Sequence, residues 1–477
     1  MIRLNAFRLP AVVVACLTTT AETRAASKPN IVHIVADDLG WRDVGFNGAV
    51  DIKTPNLDRL ATDGAKLTQF YVQPMCTPTR ACLMTGRYPF RYGLQTAVIP
   101  SVSDYGLDTS ERLLPQVLKG AGYKTAIIGK WHLGHADRKY WPRQRGFDYQ
   151  YGALIGELDY FTHEESGHVD WFRDNEQVVE EGYTTELLGA DAVRYIEAQD
   201  GNQPFYLYLA FNAPHTPYQA PQTYIEKFWN IEDPTRRIYA AMVACLDDNI
   251  GRVIDALDRK GLRGNTLVLF HSDNGGTANA LFAGVMADMS KVRIPCDNGP
   301  YRDGKGSIFE GGTRVCAFAN WPGRIHAQTV DGLMHAVDLF PTITALADAS
   351  TEGCKPLDGF NVWKTIAQGE ASPRKEIVYN IEPFRAAVRE GDWKMIWRPI
   401  LPSSIDLYNL VDDPSEAKNL AADHPEKVEA MKQRVEELAK GAAKPLFLVD
   451  QFKVITRNMQ GEPLLPGDDG FGGHDSF

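Results

Sequence analysis

The feature that most constrains this chain is the alternation of short, apolar, β-branched runs with stretches of helical periodicity. Asn30-Ile-Val-His-Ile-Val-Ala36, Lys124-Thr-Ala-Ile-Ile128, Phe205-Tyr-Leu-Tyr-Leu-Ala210 and Thr266-Leu-Val-Leu-Phe270 read as strands buried on both faces. Between them, 54–62, 113–119 and 237–258 carry apolar residues at helical spacing. Strand alternating with helix predicts a largely parallel α/β sheet, because parallel neighbours need a crossover rather than a tight turn. With 477 residues the chain has room for one such core and a smaller subdomain.

In sheets of this kind ligands bind beyond the carboxyl ends of the strands. Asp37 and Asp38 follow the first strand, Lys130 and His132 the second, His215 the third, and Asp273 and Asn274 the fourth. Lys130 and His132, two residues apart, would both face one cleft if the chain between them is extended. From residue 376 the pattern changes to short strands joined by turns, followed by a helical stretch over 424–442, which predicts a small antiparallel sheet with a helix on one face. The organisation expected is therefore a leader at 1–26, a main domain at 27–375, a C-terminal α+β subdomain at 376–446 and a Gly- and Asp-rich tail at 447–477.

The leader has Arg3 and Arg8 ahead of the apolar run Leu9–Leu17 and small residues up to Ala26, the pattern of a secretory signal, and is too short to span a bilayer. It predicts a periplasmic or secreted protein; Val13-Val-Ala-Cys16 leaves open a lipid anchor at Cys16. The formal net charge of -11 and the lack of a basic run argue against nucleic-acid binding, so an anionic ligand needs a few placed cations. Seven cysteines, at 16, 76, 82, 245, 296, 316 and 354, are too few for a disulfide scaffold. Without Cys16 and Cys76 their number is odd, so at least one thiol is free, with Cys82 a candidate. His33, inside a strand, reads as a core residue, and His163, His168, Trp131 and Trp141 as loop or packing residues.

The most informative segment is Pro74-Met-Cys-Thr-Pro-Thr-Arg80, which sets Cys76 and Arg80 one helical turn apart with Pro78 early in the helix. A cysteine at a helix N-terminus beside an arginine is expected to have a lowered pKa. Cys76-x-Pro-x-Arg80 followed by Leu83-Met-Thr-Gly-Arg87 resembles the maturation signal of the type I sulfatases. The resemblance continues through Gly129-Lys-Trp-His-Leu-Gly134, Asn212-Ala-Pro-His215, Ser272-Asp-Asn-Gly-Gly276 and Lys305-Gly-Ser-Ile-Phe-Glu-Gly-Gly-Thr-Arg314, in the family's order over most of residues 30–320. Thr85-Gly-Arg-Tyr88, 113–123 and Arg145-Gly-Phe-Asp148 look most like the N-acetylgalactosamine-4-sulfatase (arylsulfatase B) branch. Thr79 stands where many members carry serine, which the pattern tolerates.

This resemblance implies an alkaline-phosphatase-like α/β sandwich, with a large mixed, mostly parallel sheet flanked by helices and a smaller C-terminal antiparallel sheet. It implies that a maturation enzyme converts Cys76 to formylglycine. One Ca2+ is expected per chain, held by Asp37, Asp38, Asp273, Asn274 and the modified residue 76, since oxygen ligands suit a hard cation. Arg80, Lys130, His132, His215 and Lys305 complete the implied catalytic set, with Asp273 taking the nucleophile's proton, His215 and Lys305 protonating the leaving oxygen, and His132 serving the step that releases sulfate. The implied substrate is a sulfated carbohydrate, for instance 4-O-sulfated N-acetylgalactosamine, in a cleft bordered by loops 135–175 and 278–300. The alternatives are a phosphonate or phosphate ester hydrolase of the same superfamily and a non-catalytic binder of sulfated glycans. Oligomeric state is left open.

Overall fold

The computed structural model describes residues 28–278 and 294–459. The expected leader, Cys16 and most of loop 278–300 lie outside these residues. Five strands, Thr266–Ser272, Asn30–Ala36, Phe205–Ala210, Lys124–Gly129 and Tyr149–Gly152, run parallel side by side at the centre of a ten-stranded sheet. Antiparallel pairing extends it: Ala317–Asn320 flanks Thr266–Ser272, and Phe172–Arg173 flanks Tyr149–Gly152.

Alternation of side chains sends the two halves of each central strand to different cores. Ile31 and Val35 enter one, with Tyr206 and Tyr208; Val32 and Ile34 enter the other, with Leu207 and Leu209. The first core is closed by helices Cys76–Thr85, Leu114–Gly120 and Leu339–Leu346, the second by Pro55–Thr62, Thr184–Glu197 and the 26-residue Pro234–Arg259. Each large apolar side chain so buried contributes roughly 1.5–3 kcal/mol. This two-faced burial is why the strand sequences carry no polar stripe.

Register aligns the ends of the strands. Ala36 pairs with Ser272, and Gly129 with Ala210, whose neighbour strand pairs it with Val35. Asp37, Lys130 and Asp273 therefore leave the sheet at one level.

The strands Glu376–Ile381, Ala386–Glu390, Trp393–Arg398 and Ser404–Asn409 form an antiparallel meander. Helix Pro425–Ala439 covers one face with Met431, Val435 and Leu438, spaced along a single stripe. The other face packs Ile377, Tyr379 and Ile396 on Tyr71 and Ile308 of the main domain. The stretch read from sequence as a tail is helical over Leu446–Met459 and is tied down where Leu446 N donates to Gly93 O at 2.8 Å and Ser103 to Asp450 at 2.8 Å. Residues 460–477 lie outside the described residues. All six described cysteines are free thiols, and no described helix is long and apolar enough to cross a membrane.

Candidate functional site

Cys76 is the first residue of helix Cys76–Thr85, every member of which is buried. Thr79 fixes the approach: its Oγ1 accepts from Gln73 N at 3.0 Å and donates to Gln73 O at 3.1 Å, a pair of bonds a serine hydroxyl would also make. Gly86, at φ 67°, ends the helix, its N–H donating to Cys82 O at 2.8 Å.

The expectation of a lowered thiol pKa at position 76 is overturned. Burial, then the carboxylates of Asp273 and Asp37, push the Cys76 thiol well above its ordinary value, outweighing Lys130 and Lys305. Its Sγ lies 3.4 Å from Asp37 Oδ1, so the thiol donates to that carboxylate. A thiol held protonated in this way is a poor nucleophile.

Three cations meet three carboxylates around it. Lys130 Nζ is 2.5 Å from Asp37 Oδ2, and Arg80 Nη2 is 3.3 Å from the same oxygen. Arg80 also grips Asp273 Oδ2 with Nε at 3.1 Å and Nη2 at 2.7 Å, while Nη1 donates to Lys130 O at 2.9 Å. Burial alone would raise the Asp37 carboxyl, but Lys130, His215 and Arg80 together hold it below the usual range. Lys130 reaches this point because Gly129 takes φ 117°; a Cβ there would sit 1.8 Å from Ala210 O.

On the opposite side, Asp38 has a left-handed backbone, φ 60°. Its Oδ1 accepts from Asn274 Nδ2 at 2.6 Å and its Oδ2 from Lys305 Nζ at 3.0 Å. Lys305 Nζ is also 2.8 Å from His215 Nε2, which lies 3.6 Å from Asp38 Oδ2. His215 Nδ1 faces Thr216 O at 2.7 Å and so carries the proton in the neutral ring, leaving Nε2 to accept from Lys305. None of these residues is more than 2% exposed.

Ligand atoms of Asp37, Asp38, Cys76 and His215 fall within 4.8 Å of one another. Asp273 and Asn274 adjoin them through Arg80 and Asp38. Asn274 Oδ1 is buried with no hydrogen-bond donor among the described residues, an acceptor that calls for a positive partner. Three carboxylates and an amide oxygen make a donor set suited to Ca2+. Sulfur is a poor ligand for such a cation, so the oxygens of the three carboxylates and Asn274 are the donors that suit it.

His132 has a left-handed backbone, φ 56°, so the chain after Lys130 is not extended, contrary to expectation, and its Nε2 lies 3.2 Å from Ile99 O. It is tied to the Cys76 helix through Thr77 Oγ1, which donates to His132 O at 2.9 Å. His33 is in the core, 2.9 Å from His271 and 3.3 Å from Tyr206. Trp131 is fully buried against Phe147, and His163 stacks on Trp171.

Sequence reasoning missed two supports. Ser272 Oγ accepts from Leu39 N at 3.0 Å and donates to Asn274 O at 2.7 Å, locking the Asp38 and Asn274 turns together. Tyr160 OH lies 2.7 Å from Asn212 O and 2.8 Å from His215 O, fixing the His215 loop. Ser272 opens the Ser272-Asp-Asn-Gly-Gly276 motif, though its hydroxyl's role is set by Leu39 from another strand end; Tyr160 arrives from a distant loop.

Comparison with known proteins agrees with this geometry. The family profile Sulfatase matches residues 29–349. Mouse (Mus musculus) arylsulfatase J is 37% identical over 81% of this chain and 64% of its own length, so the chain spans just under two thirds of that relative. Human (Homo sapiens) N-acetylgalactosamine-6-sulfatase is 34% identical over 76% of this chain and 70% of its own. The solved structure of Ps i-CgsB in complex with k-i-k-neocarrahexaose superposes with a TM-score of 0.81 at 33% identity, covering 91% of this chain and 98% of that one. With the profile extending over the sheet, the Cys76 helix and every residue of the buried cluster, this chain belongs to the sulfatase family.

Proposed function

We propose that this protein is a sulfuric ester hydrolase that removes sulfate from a sulfated carbohydrate, and that Cys76 is its precursor nucleophile. The observation that carries the reading is the setting of Cys76: a buried helix N-terminus, a thiol held protonated 3.4 Å from Asp37, and Arg80, Lys130 and Lys305 among the surrounding charges. That environment sets position 76 against the carboxylates of the metal-ligand cluster and suits a group that attacks through oxygen beside a cation. Ca2+ bound by Asp37, Asp38, Asp273 and Asn274 would neutralise charge, and formylglycine at position 76 would supply the attacking oxygen.

The remaining work falls to ordinary side chains. Arg80, Lys130 and Lys305 hold sulfate oxygens, supplying the placed cations that an anionic ligand needs on a chain of net charge -11. Asp273 accepts the nucleophile's proton. Lys305 and His215, 2.8 Å apart, deliver a proton to the departing alcohol oxygen, and His132 takes one in the release of sulfate. Exclusion of water from groups at most 2% exposed strengthens every one of these interactions.

The finer reading is an ester at O4 of a galacto-configured sugar, supported by the resemblance of segments 85–88, 113–123 and 145–148 to the 4-sulfatase branch. The human relative named for the 6-sulfate of N-acetylgalactosamine makes the O6 ester the comparison to run. The N-terminal pattern supports export to the periplasm or beyond.

Cys76→Ala should lose all turnover of an aryl sulfate while keeping the wild-type melting temperature. A peptide containing residue 76 from active enzyme should show the mass of CHO in place of CH2SH. Full activity in the variant, or only thiol in fully active enzyme, would overturn the mechanism. Faster turnover of an aryl phosphodiester than of an aryl sulfate would favour the phosphonate or phosphate ester hydrolase; sulfated-glycan binding without turnover of any ester would favour the silent binder.

A further inference from the structure

Adjoining the catalytic cluster, and lined in part by Lys305, lies a cavity of about 250 Å³. Its wall is the loop that begins at Asp303 and contains Lys305, Ser307 and Phe309, and the C-terminal sheet closes it with Arg385 and Arg398. Loop 303–309 is thus shared between the two sites. Lys305 turns its ammonium inward to Asp38 and His215, and Gly306 N donates to Pro74 O at 2.7 Å, two residues before Cys76.

The two arginines retain donors. Arg385 comes from the hairpin between Glu376–Ile381 and Ala386–Glu390; it pairs with Glu382 through Nε and donates from Nη1 to Gly306 O at 2.7 Å. Its Nη2 makes no bond among the described residues. Arg398 spends only Nη1, on Asp406 at 2.6 Å, and its guanidinium carbon lies 5.9 Å from the Phe309 ring centroid. Their side chains are 27% and 36% exposed, so both can be reached from solvent.

The chemistry differs from that of an ion trap. Two guanidiniums suit a sulfate or carboxylate, since each presents a planar fork of donors. Asp303, on the same wall, repels a bare anion but accepts from a hydroxyl, while the Phe309 ring is taken up by Arg302, whose guanidinium carbon lies 4.0 Å from its centroid. An anionic group and hydroxyls together describe one charged sugar. The volume is below the range of pockets that enclose a drug-sized ligand, in keeping with a single ring.

We propose that this cavity is a subsite for a second anionic sugar, adjoining the sugar whose ester is cleaved, read by Arg385 and Arg398. The substrate is then an oligosaccharide or polysaccharide with negative charge on neighbouring units. This rests on the sulfated-carbohydrate reading above and adds that a neighbouring charge, sulfate or uronate, raises kcat/KM.

The test is a ratio. For wild type, Arg398→Ala and Arg385→Gln, kcat/KM is measured on a sulfated disaccharide whose neighbouring unit is neutral, and on the matching disaccharides carrying a sulfate or a carboxylate there. Because each variant meets every substrate with the same folded population, partial misfolding cancels. The wild-type preference for the charged neighbour should fall about tenfold or more in each arginine variant, and the larger fall among the two charged disaccharides tells sulfate from uronate. A wild type that cleaves sulfate esters with no preference for a charged neighbour, or a preference that survives both substitutions, overturns the subsite alone. Failure of the wild type on every sulfate ester overturns the underlying reading instead.

Discussion

Lys394→Met would remove the one ammonium from a buried charge cluster that joins the C-terminal sheet to the main domain. Lys394 Nζ lies 3.1 Å from Glu310 Oε1 and 2.8 Å from Glu416 Oε1, all three side chains at 0% exposure. Tyr71 and Tyr379 donate to Glu310 at 2.7 and 2.6 Å, and Glu310 N donates to Glu416 at 2.6 Å. Burial pushes the Glu310 carboxyl up, but Lys394, then Arg314 and Arg389, outweigh it and hold it at about 2. Glu416, which shares that lysine, is pushed above its ordinary value by burial and by Glu310, so its carboxyl offsets part of what the lowered Glu310 contributes to stability at pH 7. Because the folded pKa of Glu310 is the lower one, its contribution is present above 4.5 and fades as pH falls toward 2. Leaving two buried carboxylates without their lysine should cost about 3–5 kcal/mol at pH 7. In the variant those carboxyls protonate more readily, so the difference from wild type should shrink below about pH 5. Urea unfolding of both proteins at pH 7 and pH 4, followed by tryptophan fluorescence, reads this directly. A loss below about 1 kcal/mol, or one of equal size at both pH values, would refute the reasoning.

Two further outcomes follow from single residues. His335 is buried, its Nδ1 accepts from Val337 N at 3.2 Å, and burial with Arg374 nearby holds its pKa well below 6.5; the folded state thus resists a proton the unfolded state takes. Stability should fall as pH drops below 6.5, by up to about 1.4 kcal/mol per pH unit, and His335→Asn, which keeps an acceptor, should lose one proton's worth of that slope in unfolding titrations. Gly129→Ala should cost about 3 kcal/mol or more, since φ 117° and a Cβ 1.8 Å from Ala210 O cannot both be kept without breaking the strand pair that aims Lys130. A soluble variant melting within ~2 °C of wild type would show that the strand end yields more easily than its geometry implies.

How far the sequence could be read depended on whether a residue's role was set by its own strand or by a distant one. Asp37, Lys130 and Asp273 were legible because parallel strands deliver their next residues to one edge, whatever the loops do. The antiparallel strands Ala65–Leu67 and Ala317–Asn320 were not, because they are short and pair with each other across more than 250 residues of chain, as Ala65 pairs with Ala319. The error over the Cys76 thiol has the same origin. Its neighbour in sequence, Arg80, argued for a lowered pKa, whereas burial, then Asp273 and Asp37, all brought about only by folding, set it in the opposite direction. Nor did spacing reveal that Arg80 grips Asp273 with two nitrogens, committing its charge to a carboxylate before any substrate arrives. Three carboxylates against Arg80, Lys130 and Lys305 leave the cluster formally balanced, and an added divalent cation would leave the positive surplus that an anionic ester requires. Charge balance of this kind is a property of the assembled strand ends, which is why motif matching located the residues without disclosing the electrostatics that make them work.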